Sequence, residues 1–466
     1  MSRELWSLSA LTLAEMVREG DASAREIADA HLARIDEVNG AVNAIVEVRP
    51  DEVRAAADAA DAARRSGDDL GPLHGVPFTV KINLDQDGYA TNEGVAALAD
   101  RRASSDAPVV QRMREAGAVA LARTNMPDLG LRLNTESELY GATHNPWRRG
   151  LTVGGSSGGA AAALATGMGA LALGNDIGGS LRNPAYACGV TSIKPSRGRV
   201  PTGNATAPSA PPVNSQLMHA EGVLARHVAD VRAGLVAVMG SHPFDPDALD
   251  APLEGPAVPR RVALVPEPIG GSTDPVIADA VRRAGATLES AGYAVEEVEP
   301  PQVFDAYLAW SMLMVADFEV EGELLASQLG ADGRRFLELS TVDFGESTVA
   351  SVHRIFQDRH AAARAWRGFM EEFPLIVGPT WTQRPFAHGF DIVDAESAFA
   401  VVEMVRFVTP ANALGLPAVS VPTGVVDGLP TGVQVIGRGF REDTCLDAAE
   451  AIERALGVLT PIDPRE

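Results

Sequence analysis

The sequence predicts an α/β protein that forms one large domain, with a mixed, twisted β-sheet covered by α-helices. Runs typical of strands alternate with runs of helical periodicity along most of the chain, which is the pattern of a sheet packed against helices. The 466 residues, 46% of them hydrophobic, are enough to bury a large core. No repeat of fixed period divides the chain, so we expect residues 1–466 to form a single domain.

The N-terminal part, residues 1–65, is expected to be helical. Two pairs of residues have the spacing of a capping box and predict where the first two helices begin: Thr12 with Glu15, and Ser23 with Glu26. A run rich in Ala, Asp and Arg over 55–65 predicts a third helix before the first strand.

The middle of the chain predicts alternating strands and helices. The segment GPLHGVPFTV, 71–80, passes from Gly/Pro punctuation into a β-prone run, which places Lys81 at the end of a strand. After it we predict a helix over 109–116, a short buried strand over 118–122 and a small-residue helix over 160–172.

The C-terminal half begins with long loops and returns to strands. Proline, glycine and serine are frequent over 201–215 and 241–259, which predicts loops. A strand over 261–268 and a helix over 275–291 follow. Near the end, LPAVSVPTG and LPTGVQVIG are expected to form two strands joined by a turn at Asp427 and Gly428.

Composition excludes several classes of function. No apolar run approaches the roughly 20 residues of a membrane span, and the acidic residues near the N-terminus are unlike a signal peptide, so we expect a cytoplasmic protein. A net charge of −23 argues against direct nucleic-acid binding. Cys188 and Cys445 cannot make a disulfide framework, and neither has a partner at metal-ligand spacing. No cofactor or metal is implied.

The segment LTVGGSSGGAAAALATGMGALALGNDIGGSLRNPA, 151–185, contains two glycine–serine clusters. GxGxxA over 167–172 matches a dinucleotide-binding pattern but follows a helix, where phosphate binding needs a strand before it. GxSxG over 155–159 matches a nucleophile elbow with Ser157 as nucleophile. Its base would be one of three histidines: His353, His360 and His388. Close packing of small residues is the third interpretation.

The order and spacing of several motifs resemble those of the amidase signature family of serine hydrolases. These motifs are GVPFTVK ending at Lys81, GGSSGG, GNDIGGSLRNPA and KPSRGRVP. Segments such as RTNMPDLG, HNPW, EGVLARHVADV and ALGLPAVSVPTG extend the resemblance over most of the chain. Residues 241–403 are the least similar part, and we expect the substrate pocket there.

The resemblance implies a Ser-Ser-Lys triad, with Ser180 as nucleophile, Ser156 as bridging serine in a cis peptide and Lys81 as base. A serine hydroxyl needs a neighbouring base, and lysine can act as one only when neutral, a form that burial favours. The resemblance further implies an oxyanion hole of backbone N–H groups from Ile177, Gly178, Gly179 and Ser180. It assigns supporting roles to Ser157, Asp176 and Arg182. Two residues depart from the family pattern, Ile82 after the lysine and Asn175 before Asp176.

The implied activity is hydrolysis of a carboxamide to a carboxylate and ammonia or amine through an acyl-enzyme. We expect an apolar or aromatic amide, because residues 301–399 carry several large apolar side chains: Tyr307, Trp310, Met312, Met314, Phe318, Trp381 and Phe386. Two alternatives stay open: the glutamine-hydrolysing amidase component of a glutamyl- or aspartyl-tRNA amidotransferase, and an inactive binding protein with the amidase fold. The expected partner is a small-molecule amide, with neither nucleic acid nor membrane, and we allow for a homodimer.

Overall fold

The computed structural model describes residues 4–207, 211–341 and 347–466. Fifteen α-helices lie in these ranges: α1 Ala10–Glu19, α2 Ala24–Val42, α3 Pro50–Ser66, α4 Pro108–Glu115, α5 Gly158–Ala165, α6 Arg182–Cys188, α7 Val213–Met218, α8 Val228–Val238, α9 Pro275–Ser290, α10 Val303–Gln328, α11 Ala331–Ser340, α12 Val349–Glu372, α13 Ala395–Glu403, α14 Pro410–Ala413 and α15 Glu442–Leu456. Thirteen strands lie in the same ranges: β1 Ile45–Glu47, β2 Pro77–Lys81, β3 Val119–Thr124, β4 Glu136–Ser137, β5 Gly141–Ala142, β6 Leu171–Asp176, β7 Thr191–Lys194, β8 Ala220–Ala225, β9 Arg261–Leu264, β10 Ala294–Glu297, β11 Leu375–Pro379, β12 Ala418–Val426 and β13 Leu429–Gly437.

Eleven strands form one sheet in the order β1-β3-β2-β6-β8-β7-β12-β13-β11-β9-β10. The β2–β3 and β2–β6 pairs are parallel, whereas β6–β8 and β12–β13 are antiparallel. The predicted mixed sheet in a single α/β domain is therefore confirmed. The turn predicted at Asp427 and Gly428 joins β12 to β13, because Val426 pairs with Leu429 on either side of it.

One of the two predicted capping boxes is present. Ser23 and Glu26 form the predicted capping box of α2. The prediction for α1 was wrong, because α1 begins at Ala10 and the hydroxyl of Ser9 accepts the N–H of Thr12 at 3.1 Å. Thr12 is thus the third residue of the helix. A short strand, β1, also lies within the part expected to be helical.

The small-residue helix predicted over 160–172 was too long. α5 ends at Ala165, and Gly167 adopts a left-handed conformation with φ of +79° that turns the chain back. Residues 171–176 then form β6 in the middle of the sheet. Every residue of α5 is buried, and the helix packs on β2, β6 and α6, so its small side chains allow close contact with the sheet.

Features that would point to other classes of protein are missing from the described part of the chain. No helix in it is long and apolar enough to cross a membrane. No three His, Cys, Asp or Glu side chains in it are grouped so that they could hold a metal ion. Cys188 and Cys445 are buried and free, and burial raises the pKa of each thiol, so both are part of the core.

Candidate active site

The fold brings residues of the GVPFTVK, GGSSGG and GNDIGGSLRNPA motifs to one edge of the sheet. β2 ends at Lys81, as predicted, and the parallel neighbour β6 ends at Asp176. Val80 lies opposite Leu173 in this pair, so the last residues of both strands reach the same edge. The loop that carries Ser180 follows β6, and Ser156 lies just before α5.

Lys81 is fully buried and lies in contact with two polar side chains. Its Nζ donates to Ser156 Oγ at 2.7 Å and to Asn175 Oδ1 at 2.7 Å. Burial lowers the pKa of Lys81 from 10.5 to about 7, although nearby carboxylates, Glu221 first among them, oppose this shift. At neutral pH a substantial fraction of this lysine is therefore uncharged and able to accept a proton.

Both serines of the expected triad are buried but keep a small exposed fraction. Ser156 follows a cis peptide bond after Gly155 and is 4% exposed, while Ser180 is 6% exposed. Within the described residues no hydrogen bond joins Ser180 Oγ to Ser156 Oγ. The structure thus brings Lys81 and Ser156 into direct contact, with Ser180 on the adjoining loop. Hydrogen bonds of catalytic groups commonly shorten only when substrate binds.

The loop that carries Ser180 is held by a buried ion pair. Asp176 Oδ1 accepts the N–H of Gly179 at 2.7 Å, and Oδ2 accepts the N–H of Leu181 at 3.1 Å. The Arg182 guanidinium donates to both carboxylate oxygens, and neither side chain is exposed. Burial would raise the pKa of Asp176, but the charge and hydrogen bonds of Arg182 hold it well below its usual range. The pair thus holds the loop at the N–H groups of Gly179 and Leu181.

Backbone N–H groups of this loop are the expected donors to a substrate oxyanion. In the described part of the chain, the N–H groups of Ile177, Gly178 and Ser180 have no acceptor. Gly179 is different, because its N–H already donates to Asp176. Its φ of +97° and its contact with Asn183 require glycine. In this conformation the Gly179 N–H is therefore engaged by Asp176, and Gly179 shapes the turn.

Ser157 links the two glycine–serine clusters. Its N–H donates to Ser180 O at 3.1 Å, and its hydroxyl donates to Asn175 O at 3.4 Å. In the described residues no histidine hydrogen-bonds to Ser157. Of the histidines considered as its base, His388 contacts Asn134 Oδ1 instead, while the other two, His353 and His360, lie on α12. Among the described residues, the nucleophile-elbow interpretation therefore finds no histidine base bonded to Ser157.

Asn175 is the residue of the cluster whose contact the sequence reasoning missed. It was noted only as a departure from the family pattern, yet its side chain accepts a hydrogen bond from Lys81 Nζ. Its place directly before Asp176, at the same sheet edge as Lys81, was the available signal. Ile82, the other departure, is a buried core residue.

We predict that Arg182→Leu lowers the free energy of unfolding by about 3–5 kcal/mol, because it leaves the carboxylate of Asp176 buried without its cation. Urea denaturation followed by circular dichroism measures this loss. Arg454→Leu is the matched control, since Arg454 pairs with Glu450 on the exposed face of α15 and should leave the midpoint almost unchanged. Equal effects of the two substitutions would contradict the bracing role.

Known proteins resemble this chain in sequence and in fold. A family model described as Amidase matches residues 26–446. The chain is 41% identical over 461 residues to an indoleacetamide hydrolase of Bradyrhizobium diazoefficiens, covering 98% of this chain and 88% of that protein. It is 34% identical to an acylamidase of Rhodococcus erythropolis, covering 96% and 95%. The structure of a 6-aminohexanoate cyclic dimer hydrolase complexed with substrate matches with a TM-score of 0.83 at 30% identity, covering 99% of both chains.

Proposed function

The chain belongs to the amidase family and is an amidase, and from that premise we propose that it hydrolyses an apolar or aromatic carboxamide through an acyl-enzyme on Ser180. The observation that carries the proposal is the buried contact of Lys81 Nζ with Ser156 Oγ beside the Ser180 loop. A buried lysine that is partly neutral at pH 7 can act as the base for a serine.

The proposed reaction uses the three side chains in sequence. Ser180 Oγ attacks the amide carbon while its proton passes to Ser156, whose own proton passes to Nζ of neutral Lys81. The proton returns through Ser156 to the leaving nitrogen, which departs as ammonia or amine. Water then attacks the ester carbon by the same proton route and releases the carboxylate.

The oxyanion of each tetrahedral intermediate needs donors that are in place beforehand. The proposal assigns this role to the free N–H groups of Ile177, Gly178 and Ser180. The Asp176–Arg182 pair supports them, because it fixes both ends of the turn between β6 and α6. Donors fixed in this way need no reorganisation as charge develops on the substrate oxygen.

An apolar wall next to this loop supports the choice of substrate class. Trp310 Nε1 on α10 donates to Ile177 O at 2.8 Å, and the indole ring packs against Gly178. Half-buried apolar side chains pack on one cluster with Trp310, and we call them the Trp310 wall: Ile177, Leu217, Trp310, Met312 and Met314. Sites for small apolar ligands have linings of this kind.

Other large side chains of residues 301–399 lie outside this wall. Trp381 is buried and stacks on Phe386 with ring centroids 5.9 Å apart. Tyr307 is buried on α10. Trp310 and Met314 are both half-buried and pack against a buried apolar cluster. We therefore assign the pocket for the acyl part of the substrate to Trp310, Met312 and Met314.

We predict that kcat/KM for phenylacetamide and indoleacetamide exceeds that for acetamide by roughly tenfold or more, since each buried CH₂ adds about 0.8 kcal/mol of binding. Trp310→Ala should bring this ratio down towards one, because it removes the aromatic surface beside the nucleophile loop. Steady-state kinetics on the purified protein with the three amides measures the ratio.

Trp310→Phe is the control for loss of the indole hydrogen bond. It keeps an aromatic ring but cannot donate to Ile177 O, so kcat should fall for every amide while the ratio of bulky to small substrates stays high. A ratio unaffected by Trp310→Ala would contradict the assignment of the pocket. If glutamine were the best substrate, the amidotransferase component would become the favoured function.

A cytoplasmic location and a homodimer remain part of the proposal. The two buried, free cysteines support the first, because structural disulfides are characteristic of oxidising compartments. The relatives named above do not favour an inactive binding protein, since all three are named for hydrolytic activity on amides.

A further inference from the structure

A polar row crosses three adjacent strands at the edge where Lys81 lies. Lys81 ends β2 and contacts Asn175 of the neighbouring strand β6. On the far side of β6, Asn175 lies directly opposite Glu221 of β8 in the antiparallel ladder. Side chains of directly opposed residues project from the same face of a sheet with their Cβ atoms about 5 Å apart. The side chain of Glu221 is therefore next to the one that holds the base.

Glu221 is a buried acid that the proposed reaction does not use. The residue is 3% exposed. Its Oε1 lies 3.1 Å from His219 Nε2, and its Oε2 has no hydrogen-bond partner among the described residues. A buried carboxylate with one oxygen unsatisfied is costly, so its presence beside the candidate base calls for a function.

The other charged groups that face Lys81 are already paired. Asp176 on β6 is bound by Arg182, and Glu93, in the loop after β2, is bound by Arg101. The only cation in contact with Glu221 in the described residues is His219, which is half-buried and carries charge only when protonated. Glu221 is thus the least compensated negative charge near the base.

We propose that Glu221 is a positioning residue for the reaction proposed above: its carboxylate acts across Asn175 to keep Lys81 basic, and His219 holds that carboxylate. Burial alone favours the neutral lysine, and the Glu221 carboxylate opposes this effect more than any other charge does. A base is most effective when its pKa lies near the working pH. Without Glu221, the lysine would be neutral at lower pH but a weaker base.

Glu221→Gln tests the proposal because it removes the charge and keeps the shape. We expect the rising limb of kcat/KM against pH to move to lower pH by about 0.5–1 unit, the kcat at high pH to fall severalfold, and KM to change little. Glu93→Gln is the matched control, and the rising limb of its kcat/KM profile should move much less. A limb that stays in place in Glu221→Gln, with activity lowered uniformly at all pH values, would overturn the proposal.

His219→Leu is a second test, in which we expect the rising limb of kcat/KM to shift in the opposite direction. It remains informative if Glu221→Gln does not fold. Loss of this partner leaves the Glu221 carboxylate less compensated, so the limb should move to higher pH. A shift to lower pH, or none, would count against the proposal. The proposed function fails separately: a rising limb that persists unchanged in Lys81→Met would mean that Lys81 is not the base at all.

Discussion

We expect Ser180→Ala to abolish hydrolysis of every amide substrate, with a fall in kcat of at least about 10⁴-fold, because the proposed acyl-enzyme forms on the hydroxyl that this change removes. The change removes one oxygen from a residue with only 6% exposure, so the thermal midpoint should stay close to that of the unchanged protein. Stopped assays of ammonia release at saturating substrate measure the loss.

Covalent labelling separates Ser180 from its neighbours. A fluorophosphonate should modify the native protein once, and peptide mapping should find the label on Ser180. Ser157→Ala is the matched control, since the hydroxyl of Ser157 donates to the backbone carbonyl of Asn175. This variant should still be labelled on Ser180 and should keep part of its activity. A label on Ser157, with activity surviving Ser180→Ala, would contradict the proposed nucleophile.

The fold could be predicted largely from local patterns. Gly/Pro punctuation before β2 and the pair of strands around Asp427 carry clear signals, and both were predicted correctly. The boundary between α5 and β6 was missed because Ala, Leu and Gly over 160–172 have no polar face to show a period. Only the left-handed turn at Gly167 ends the helix, and glycine within such a run does not by itself predict that conformation.

The candidate site depended on the resemblance, because its residues are distant in sequence. Nothing local to Lys81 indicates that it contacts Ser156, 75 residues away. The resemblance could not predict the contact of Asn175, because this residue differs from the family pattern. Its side chain accepts a hydrogen bond from Lys81 Nζ. Nor could it indicate that the Gly179 N–H is taken by Asp176, since that depends on where one carboxylate points after folding.

Lys81→Met removes the proposed base while keeping about the same side-chain volume, and we expect kcat/KM to fall by at least about 10³-fold. In the unchanged protein, kcat/KM should rise with pH and level off above a midpoint near 7, the pKa to which burial lowers Lys81. The sign follows from the proposed chemistry: the neutral amine would accept the proton, and its fraction grows as the pH rises through the pKa. The residual activity of Lys81→Met should lack this rising limb.

Lys194→Met distinguishes a base from any buried lysine. Lys194 is equally buried, and burial lowers its pKa to about 7 as well, but its Nζ donates to Pro195 O and, among the described residues, makes no hydrogen bond to Ser156, Ser157 or Ser180. If Lys81 is the base, the rising limb near pH 7 persists in Lys194→Met and is lost in Lys81→Met, because Lys81 Nζ donates to Ser156 Oγ. If the rising limb were lost in Lys194→Met but kept in Lys81→Met, Lys194 would be the group that titrates near pH 7. The main physical support for the triad would then be gone.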